Sequence, residues 1–425
     1  MLVSRLASGA LTLLLLTAAQ ANAANPQDYD DCNGGDADAR IAACTRIVED
    51  PQESLRNRGL AFYARGLGHI QKQEFDRAIA NFDAAIKLAP SYTPAFINRG
   101  NAFLNTRDYD RAIADFDQAI RINPDNAMGF YFRGWAFSSK GELARGLEDY
   151  SEAIRLEPSA YLYTWRGDAY RTFGDLERAL ADYEEALRIN PSSAAAFAGR
   201  GSVHLVRRDA ETALADFNEA VRIEPDDGFI RAKRGDAYLV MKMFKEAATD
   251  YGEAIRLLPG RYFFHNSRAA AYEGLGDIDS ALADYGEAIR LNPDSAESYN
   301  NRSRLYVNRQ DYDGAIADLG QLIRLNPNSY YAYADRGLAH RDKGEPSLAI
   351  ADFSEAIRLL PTYGDLYFQR GLAYRTMGDT ERAVADFKQA IEVDPLGSKA
   401  SRDALKSLVG EAEMPRRKSV LEMIK

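Results

Sequence analysis

Cysteine is nearly missing from this chain: its 425 residues include 2. Cys32 and Cys44 stand twelve apart, so the tight CxxC arrangement of a redox-active pair is absent. Histidine is as sparse, at 4 residues, and gives little material for a metal site or a Cys-His pair. Only 15 residues are Pro, against 46% hydrophobic and 27% charged, which excludes a disordered or collagen-like chain. An excess of positive charge is missing too: Lys+Arg 53 against Asp+Glu 63 leaves a net charge of -10. Nucleic-acid affinity comes largely from cations laid against phosphates, and this balance gives it no footing. The chain also lacks GxSxG, GxxxxGK[ST] and HExxH, and shows no strand pattern to hold such motifs. The expectation is a non-enzyme without cofactor or metal.

Long apolar runs are lacking except at the start. Residues 1–24 combine Arg5, an apolar core from Leu11 to Thr17 and small residues at cleavage spacing, the pattern of a secretory signal peptide cut after Ala21, Ala23 or Ala24. No cysteine lies near that point to carry a lipid, and no later run could cross a membrane. The expected product is therefore secreted, with no transmembrane segment in the mature chain. In an oxidising compartment the Cys32 and Cys44 pair reads as a disulfide that staples the arm DYDDCNGGD to the helical segment ARIAACTRIVE. Asp28, Asp30, Asp31, Asp36 and Asp38 miss the EF-hand spacing, so the arm reads as a solvated linker.

What the chain does have is a ruler. Prolines stand at 90, 124, 158, 191, 225, 259, 293, 327, 361 and 395, every interval being 34 residues except one of 33. Such a period marks stacked supersecondary units. Ten copies start near 59, 93, 127, 160, 194, 228, 262, 296, 330 and 364, and they can be compared with one another. A small residue recurs in the first half of each copy: Gly66, Gly100, Gly134, Gly167, Gly201, Gly235, Gly337 and Gly371, with Ala269 and Ser303 in the other two. Glycine in mid-helix costs about 1 kcal/mol against alanine, so its recurrence points to close helix packing. In the second half an Ala, an aromatic and another Ala follow at i, i+4 and i+7, as in Ala112, Phe116 and Ala119. Each copy thus reads as an antiparallel helical hairpin, stopped by its proline. Arg precedes the small residue in all copies, and an Asp answers it from the second helix in all but the first, which has Asn81. That pairing is expected to tie helix to helix or repeat to repeat. His69, His204, His265 and His340 stand where other copies carry packing aromatics.

The repeat, from Gly59 to Gly397, resembles the tetratricopeptide repeat family. The resemblance implies an all-α, right-handed superhelical solenoid. It divides the chain into a signal peptide (1–24), an arm and cap helix with the disulfide (25–58), ten repeats (59–397), a capping helix (398–410) and a short basic tail (411–425). Repeat eight departs from the pattern through Ser303, Leu319 and Leu322, which predicts a locally repacked interface. The family also implies a concave groove lined by the second, fifth, ninth, twelfth and thirteenth positions of the first helices. Carried over, the near half offers Tyr63, Leu67, Ile97, Asn101, Tyr131, Trp135 and Tyr161. The far half offers Glu273, Glu297, Asn300, Arg304, Arg341, Asp365 and Arg375. Aromatic anchors and directional arginines suit a protein or peptide ligand. The fifth-position Lys of members that grip acidic chain ends is missing here. The expected function is a scaffold for protein partners in the bacterial periplasm, the compact signal and AIADF-type repeats resembling prokaryotic members. The rivals are an accessory, substrate-clamping subunit of an envelope enzyme and a structural organiser of the cell envelope. The oligomeric state is left open.

Overall fold

Each repeat is started and stopped by short polar cues. Asp108, Asp175, Asp209, Asp277, Asp311 and Asp379 cap second helices, each side chain accepting the backbone N–H three residues on. All ten hairpin turns place one residue in the left-handed region. Five use Gly141, Gly174, Gly276, Gly344 and Gly378, and five use Gln73, Arg107, Arg208, Lys242 and Gln310.

The computed structural model describes residues 25–394 and 398–410; the signal-like segment 1–24 and the basic tail 411–425 lie outside the described residues. The chain resolves into two compact units, Met1–Glu224 and Pro225–Lys425. In the first, α1 (Pro26–Gly34) and α2 (Ala37–Glu49) precede five hairpins: α3 (Leu55–Gln71) with α4 (Phe75–Leu88), α5 (Thr93–Asn105) with α6 (Tyr109–Ile122), α7 (Ala127–Lys140) with α8 (Leu143–Leu156), α9 (Ala160–Phe173) with α10 (Leu176–Ile189), and α11 (Ala194–Val206) with α12 (Ala210–Ile223). The second holds α13 (Gly228–Val240) with α14 (Phe244–Leu257), α15 (Tyr262–Leu275) with α16 (Ile278–Leu291), α17 (Ala296–Asn308) with α18 (Tyr312–Leu325), α19 (Tyr330–Lys343) with α20 (Pro346–Leu359), and α21 (Gly364–Thr376) with α22 (Thr380–Val393), closed by α23 (Lys399–Val409). Among the described residues every element is helical. Within each unit a hairpin packs its two helices on each other and its second helix on the next first helix.

The recurrent small residue makes room for the second-helix ring of its own hairpin. A Cβ on Gly100 would lie 2.6 Å from the Phe116 ring, and one on Gly371 would lie 2.7 Å from the Phe387 ring. The rings it admits, from Phe82 and Phe116 to Phe353 and Phe387, are fully buried. In repeat eight Leu319 and Leu322 are buried with Tyr299, Ala315, Ala332 and Ala339. Ser303 donates its hydroxyl to the Asn300 carbonyl at 2.9 Å.

The arginine is fixed with equal regularity. Each guanidinium forks onto the aspartate sixteen residues later in the same hairpin, as Arg99 does onto Asp115 at 2.8 and 2.6 Å and Arg370 onto Asp386 at 2.8 Å for both bonds. Arg65 instead donates to Asn81 at 2.7 Å. The guanidinium also lies over an aromatic ring of its own helix, 5.6 Å above Phe96 for Arg99 and 5.7 Å from Tyr306 for Arg302. Its remaining nitrogen reaches back to the preceding hairpin: Arg99 to Asp83 at 2.5 Å, Arg133 to Asp117 at 2.6 Å, Arg166 to Ser151 at 3.1 Å and Arg370 to Ser354 at 3.0 Å. The aspartates are thus buried and occupied. Each is committed to the arginine of its own hairpin, as Asp115 is to Arg99 and Asp386 to Arg370.

The arm before α2 is not the solvated linker its composition indicates. Pro26 opens a helix at N1, Asn25 caps it, and Tyr29 and Cys32 are buried on one face. Asp28 faces the same way and pairs with Arg46 at 2.5 Å, which removes it from any calcium site. Tyr29 donates its hydroxyl to Glu53, and Cys32 is bonded to Cys44 with their Cα atoms 4.9 Å apart. These residues pack on Ala61 and Ala64 of the first repeat, so the disulfide closes a helical cap.

Two outcomes follow from this framework. In the second unit the position that receives the reaching nitrogen is occupied by Gly252, Gly286 and Gly320, and a Cβ on Gly286 would stand 3.5 Å from Arg302 Nη1, ordinary contact. Gly286→Asp should recreate the Arg133–Asp117 pair and improve helix propensity, adding about 0.5–1 kcal/mol to stability; an unchanged or lower denaturant midpoint would refute the role given to that nitrogen. Cys32→Ser should make α1 and α2 sensitive to protease while leaving the far hairpins helical, since repeat stability is summed over neighbours. Limited proteolysis followed by mass measurement reads this, and cleavage spread evenly through the repeats would contradict it.

Candidate functional site

With the fixed positions committed to packing, a partner site has to come from the residues that vary. In the first unit the first helices of successive repeats touch one another, and the near-half residues lie on that layer. Tyr63 is buried, its ring 5.8 Å from Phe82 and 5.2 Å from Tyr92, while its hydroxyl accepts from Asn98 Nδ2 at 3.1 Å. Leu67 packs into the same cluster. Ile97 is buried in a second cluster that contains Tyr131. Asn101 is partly exposed, yet its Oδ1 is buried without a partner.

Tyr131, Trp135 and Tyr161 do come together, but not as three exposed anchors. Tyr131 is 0% exposed, so it cannot offer a face to a partner as the structure stands. It is the centre on which the others rest: its ring lies 5.2 Å from Tyr161, 6.0 Å from Trp165 and 4.8 Å from Phe132. Trp135 and Trp165, the only tryptophans of the chain, lie 5.9 Å apart and are both partly exposed. Trp165 stands at the sixth position of its repeat, outside the five positions carried over from the family. Its signal was the rarity of tryptophan and its place one repeat after Trp135. Burial pushes the Tyr131 hydroxyl well above its usual range, helped by the neighbouring Tyr161 and Tyr150 hydroxyls. Burial does the same to Tyr161, with Glu157 adding to it. Both remain neutral hydroxyls. That of Tyr131 has no partner and that of Tyr161 meets only the Met128 thioether at 3.1 Å.

The far-half residues all belong to the second unit, and several are engaged within it. Glu273 accepts from Arg304 at 2.7 and 2.9 Å and from the Tyr285 hydroxyl at 2.6 Å, so it is an internal acceptor. Arg341 is held by Asp342 at 2.6 Å and also donates to Gln369. Asn300, Glu297, Asp365 and Arg375 are exposed. The pattern at Glu273 recurs. Tyr183 donates to Asp168 at 2.8 Å and Tyr251 to Asp236 at 2.5 Å. In these three hairpins the second-helix ring is Tyr because the first helix offers a carboxylate to it. Five hairpins without an acid at the ninth or twelfth position carry Phe there, at Phe82, Phe116, Phe217, Phe353 and Phe387, while repeat three carries Tyr150 opposite Trp135 and Ser138.

The histidines are tied to carboxylates: His69 Nδ1 to Glu74 at 2.8 Å, His340 Nδ1 to Glu345 at 2.7 Å and His265 Nδ1 to Asp284 at 3.2 Å. Among the described residues no group of three or more His, Cys, Asp or Glu is placed to hold a metal ion. Burial alone would raise the Asp284 carboxyl, but the bonds from Arg268 and His265 outweigh it and hold the group below its usual value. Asp284 therefore contributes stability above about pH 4, and loses it as pH falls through the lowered folded value. Asp284→Asn should melt earlier than the parent at pH 7, and the two should converge as the pH is lowered toward 3. A gap that stays constant over that range would show that the carboxylate charge is not what matters.

Comparison with known proteins agrees with this architecture. A family model described as Tetratricopeptide repeat matches residues 63–127, 97–161, 131–194, 164–228 and 300–363, a second of that description matches 364–395, and one described as TPR repeat matches 274–308. No curated protein matches the chain. Among solved structures it is similar to MamA, at 24% identity over 44% of this chain and 98% of MamA with a TM-score of 0.38. It is also similar to YrrB, described as a TPR protein with an unusual peptide-binding site, at 24% identity over 44% of this chain and 97% of YrrB with a TM-score of 0.35. Yeast Tom70 is similar at 13% identity over 90% of this chain and 93% of Tom70, with a TM-score of 0.41. With hairpins, fixed packing positions and family models in agreement over most of its length, the chain belongs to the tetratricopeptide repeat family.

Proposed function

We propose that this protein is a non-catalytic scaffold that binds a protein or peptide partner on the first-helix face of its repeats, with the Trp135 region as its anchor, in an extracytoplasmic space such as the bacterial periplasm. The observation that carries the reading is the contrast between fixed and variable positions. The arginines, aspartates and small residues of the repeat are consumed by packing, while the two tryptophans, large and costly to leave in water, are held partly exposed on one face. Aromatic residues in such settings are the usual energetic centres of interfaces. A secreted location is supported by the signal-like segment and by the bonded Cys32 and Cys44. No described helix is long and apolar enough to cross a membrane.

Of the residues proposed for this face, Trp135 and Tyr161 act by direct contact. Tyr63, Ile97 and Tyr131, being buried, act by holding their neighbours. Leu67 and Asn101 border them. Within the second unit, Asn300, Arg304, Arg341 and Arg375 are the polar residues proposed for its own first-helix face. The exposed second-position rings Phe229, Phe263 and Tyr331 add apolar surface.

Affinity capture of the mature protein from its own periplasm, with mass spectrometry, supplies a partner for titration. Trp135→Ala should weaken binding by at least about 2 kcal/mol, roughly thirty-fold, with the helical signal unchanged. Arg341→Ala should weaken it only modestly and reduce its salt dependence. Unchanged affinity for a folded Trp135 variant would move recognition to the loops or the opposite face.

A further inference from the structure

Packing spends the Nε and Nη2 of the forked guanidinium groups, and the fate of the third nitrogen, Nη1, differs along the chain. Arg99 and Arg133 place it on a second carboxylate, Asp83 at 2.5 Å and Asp117 at 2.6 Å. Arg166 and Arg370 place it on a serine hydroxyl at 3.1 and 3.0 Å. In three successive repeats of the second unit it meets neither. Arg268, Arg302 and Arg336 use Nε and Nη2 for their forks to Asp284, Asp318 and Asp352. Their Nη1 atoms turn toward Gly252, Gly286 and Gly320 of the preceding second helices. Outside its own helix, a Cβ on each glycine would find that nitrogen and nothing else within 4 Å, at 3.7, 3.5 and 3.8 Å respectively. The space that Asp83 and Asp117 fill upstream is therefore open here, in the same register three times over.

The first opening is a cleft of about 350 Å³ between α14 and α15, lined by Lys245, Thr249, Gly252, Glu253, Arg268 and Tyr272. Lys245 is exposed, and Glu253 is held by Arg256 at 2.8 Å, so the cleft adds a second cation to the guanidinium. What belongs in it is shown by the other repeats. The same nitrogen bonds carboxylates at shorter distances than hydroxyls, as charge-assisted pairs do, and Arg99 and Arg133 show that one guanidinium accepts a second carboxylate beside its fork. A single anion would fill one opening. Three openings, one per 34-residue period, match a ligand with several carboxylates on one chain, whose later contacts form at high effective concentration. We propose that Gly252, Gly286 and Gly320 are the seats of a second binding site, where Nη1 of Arg268, Arg302 and Arg336, with Lys245 at the first seat, takes aspartate or glutamate side chains from an acidic segment of a partner protein. This site lies within the second unit and stands independently of the Trp135 reading.

Titration of the full chain into fluorophore-labelled deca-glutamate at low ionic strength tests this. With a net charge of -10 the protein as a whole repels such a peptide, so uptake requires a local site. The parent should bind saturably, and the peptide should raise its melting temperature. Gly252→Asp, Gly286→Asp and Gly320→Asp combined fill the seats with the chain's own carboxylates and should weaken binding about ten-fold or more. Alanine at the same three positions leaves each nitrogen unpaired and should keep the parental affinity within about two-fold. Gly260→Asp, Asn292→Asp and Asn326→Asp combined add the same charge in the turns between hairpins and should cost no more than about three-fold, as screened charges do. Absence of saturable binding, or an equal loss in the seat and turn aspartate variants, overturns the assignment. A loss in the alanine variant as large as that in the seat aspartate variant overturns it too. If acetate displaces deca-glutamate at an equal concentration of carboxylate groups, the seats take isolated anions and the partner segment falls.

Discussion

The guanidinium before each small residue is the fastening on which the rest of this structure depends. It occupies one place in the repeat and serves three directions: a fork onto the aspartate of its own second helix, a seat on an aromatic ring of its own helix, and in several repeats a bond back to the preceding hairpin. A partly buried cation with its donors satisfied is costly to leave behind once one partner is removed. Nine such groups, with Arg65 on Asn81 as a tenth, fix the spacing of helices that the glycines and alanines only permit. The small residues set how near two helices come. The arginines set where along their length they meet.

The packing frame was legible in the sequence because it repeats. Comparing copies separated Gly100, Arg99 and Asp115 from their variable neighbours, and the structure places each of them in the contact its recurrence implies. The reading failed at the arm, which has no other copy to be compared with. The arm DYDDCNGGD has the composition of a linker, yet its Tyr29 and Cys32 fall on one helical face and are buried, a period too short to stand out in nine residues. Tertiary burial against Ala61 and Ala64 overrode the local preference.

The surroundings of the proposed site were half legible. Rules about groove positions named Trp135 and Tyr161, which are partly exposed, did not name their neighbour Trp165, and gave Tyr131 an exposed role that its burial denies. They also counted Glu273 as groove surface, although Tyr285 and Arg304 claim it. The information needed was present in a different form. A second-helix Tyr opposite a first-helix acid, as at Asp168, Asp236 and Glu273, marks a polar first-helix residue that is already paired. Positions that merely vary and positions left free for a partner differ in this respect, and only pairing one helix against the other tells them apart.

The fork closes inside a single repeat, and this has a consequence for how such a chain changes length. Both members of the bidentate bond lie sixteen residues apart, within one 34-residue period, so each hairpin carries its own fastening wherever it stands in the series. Of the guanidinium's bonds only that of the reaching nitrogen depends on the neighbour: it donates to an aspartate or to a serine, and at Gly286 the neighbour offers it no side chain. Duplication or loss of a whole repeat would therefore leave every fork intact and change only the interface between hairpins.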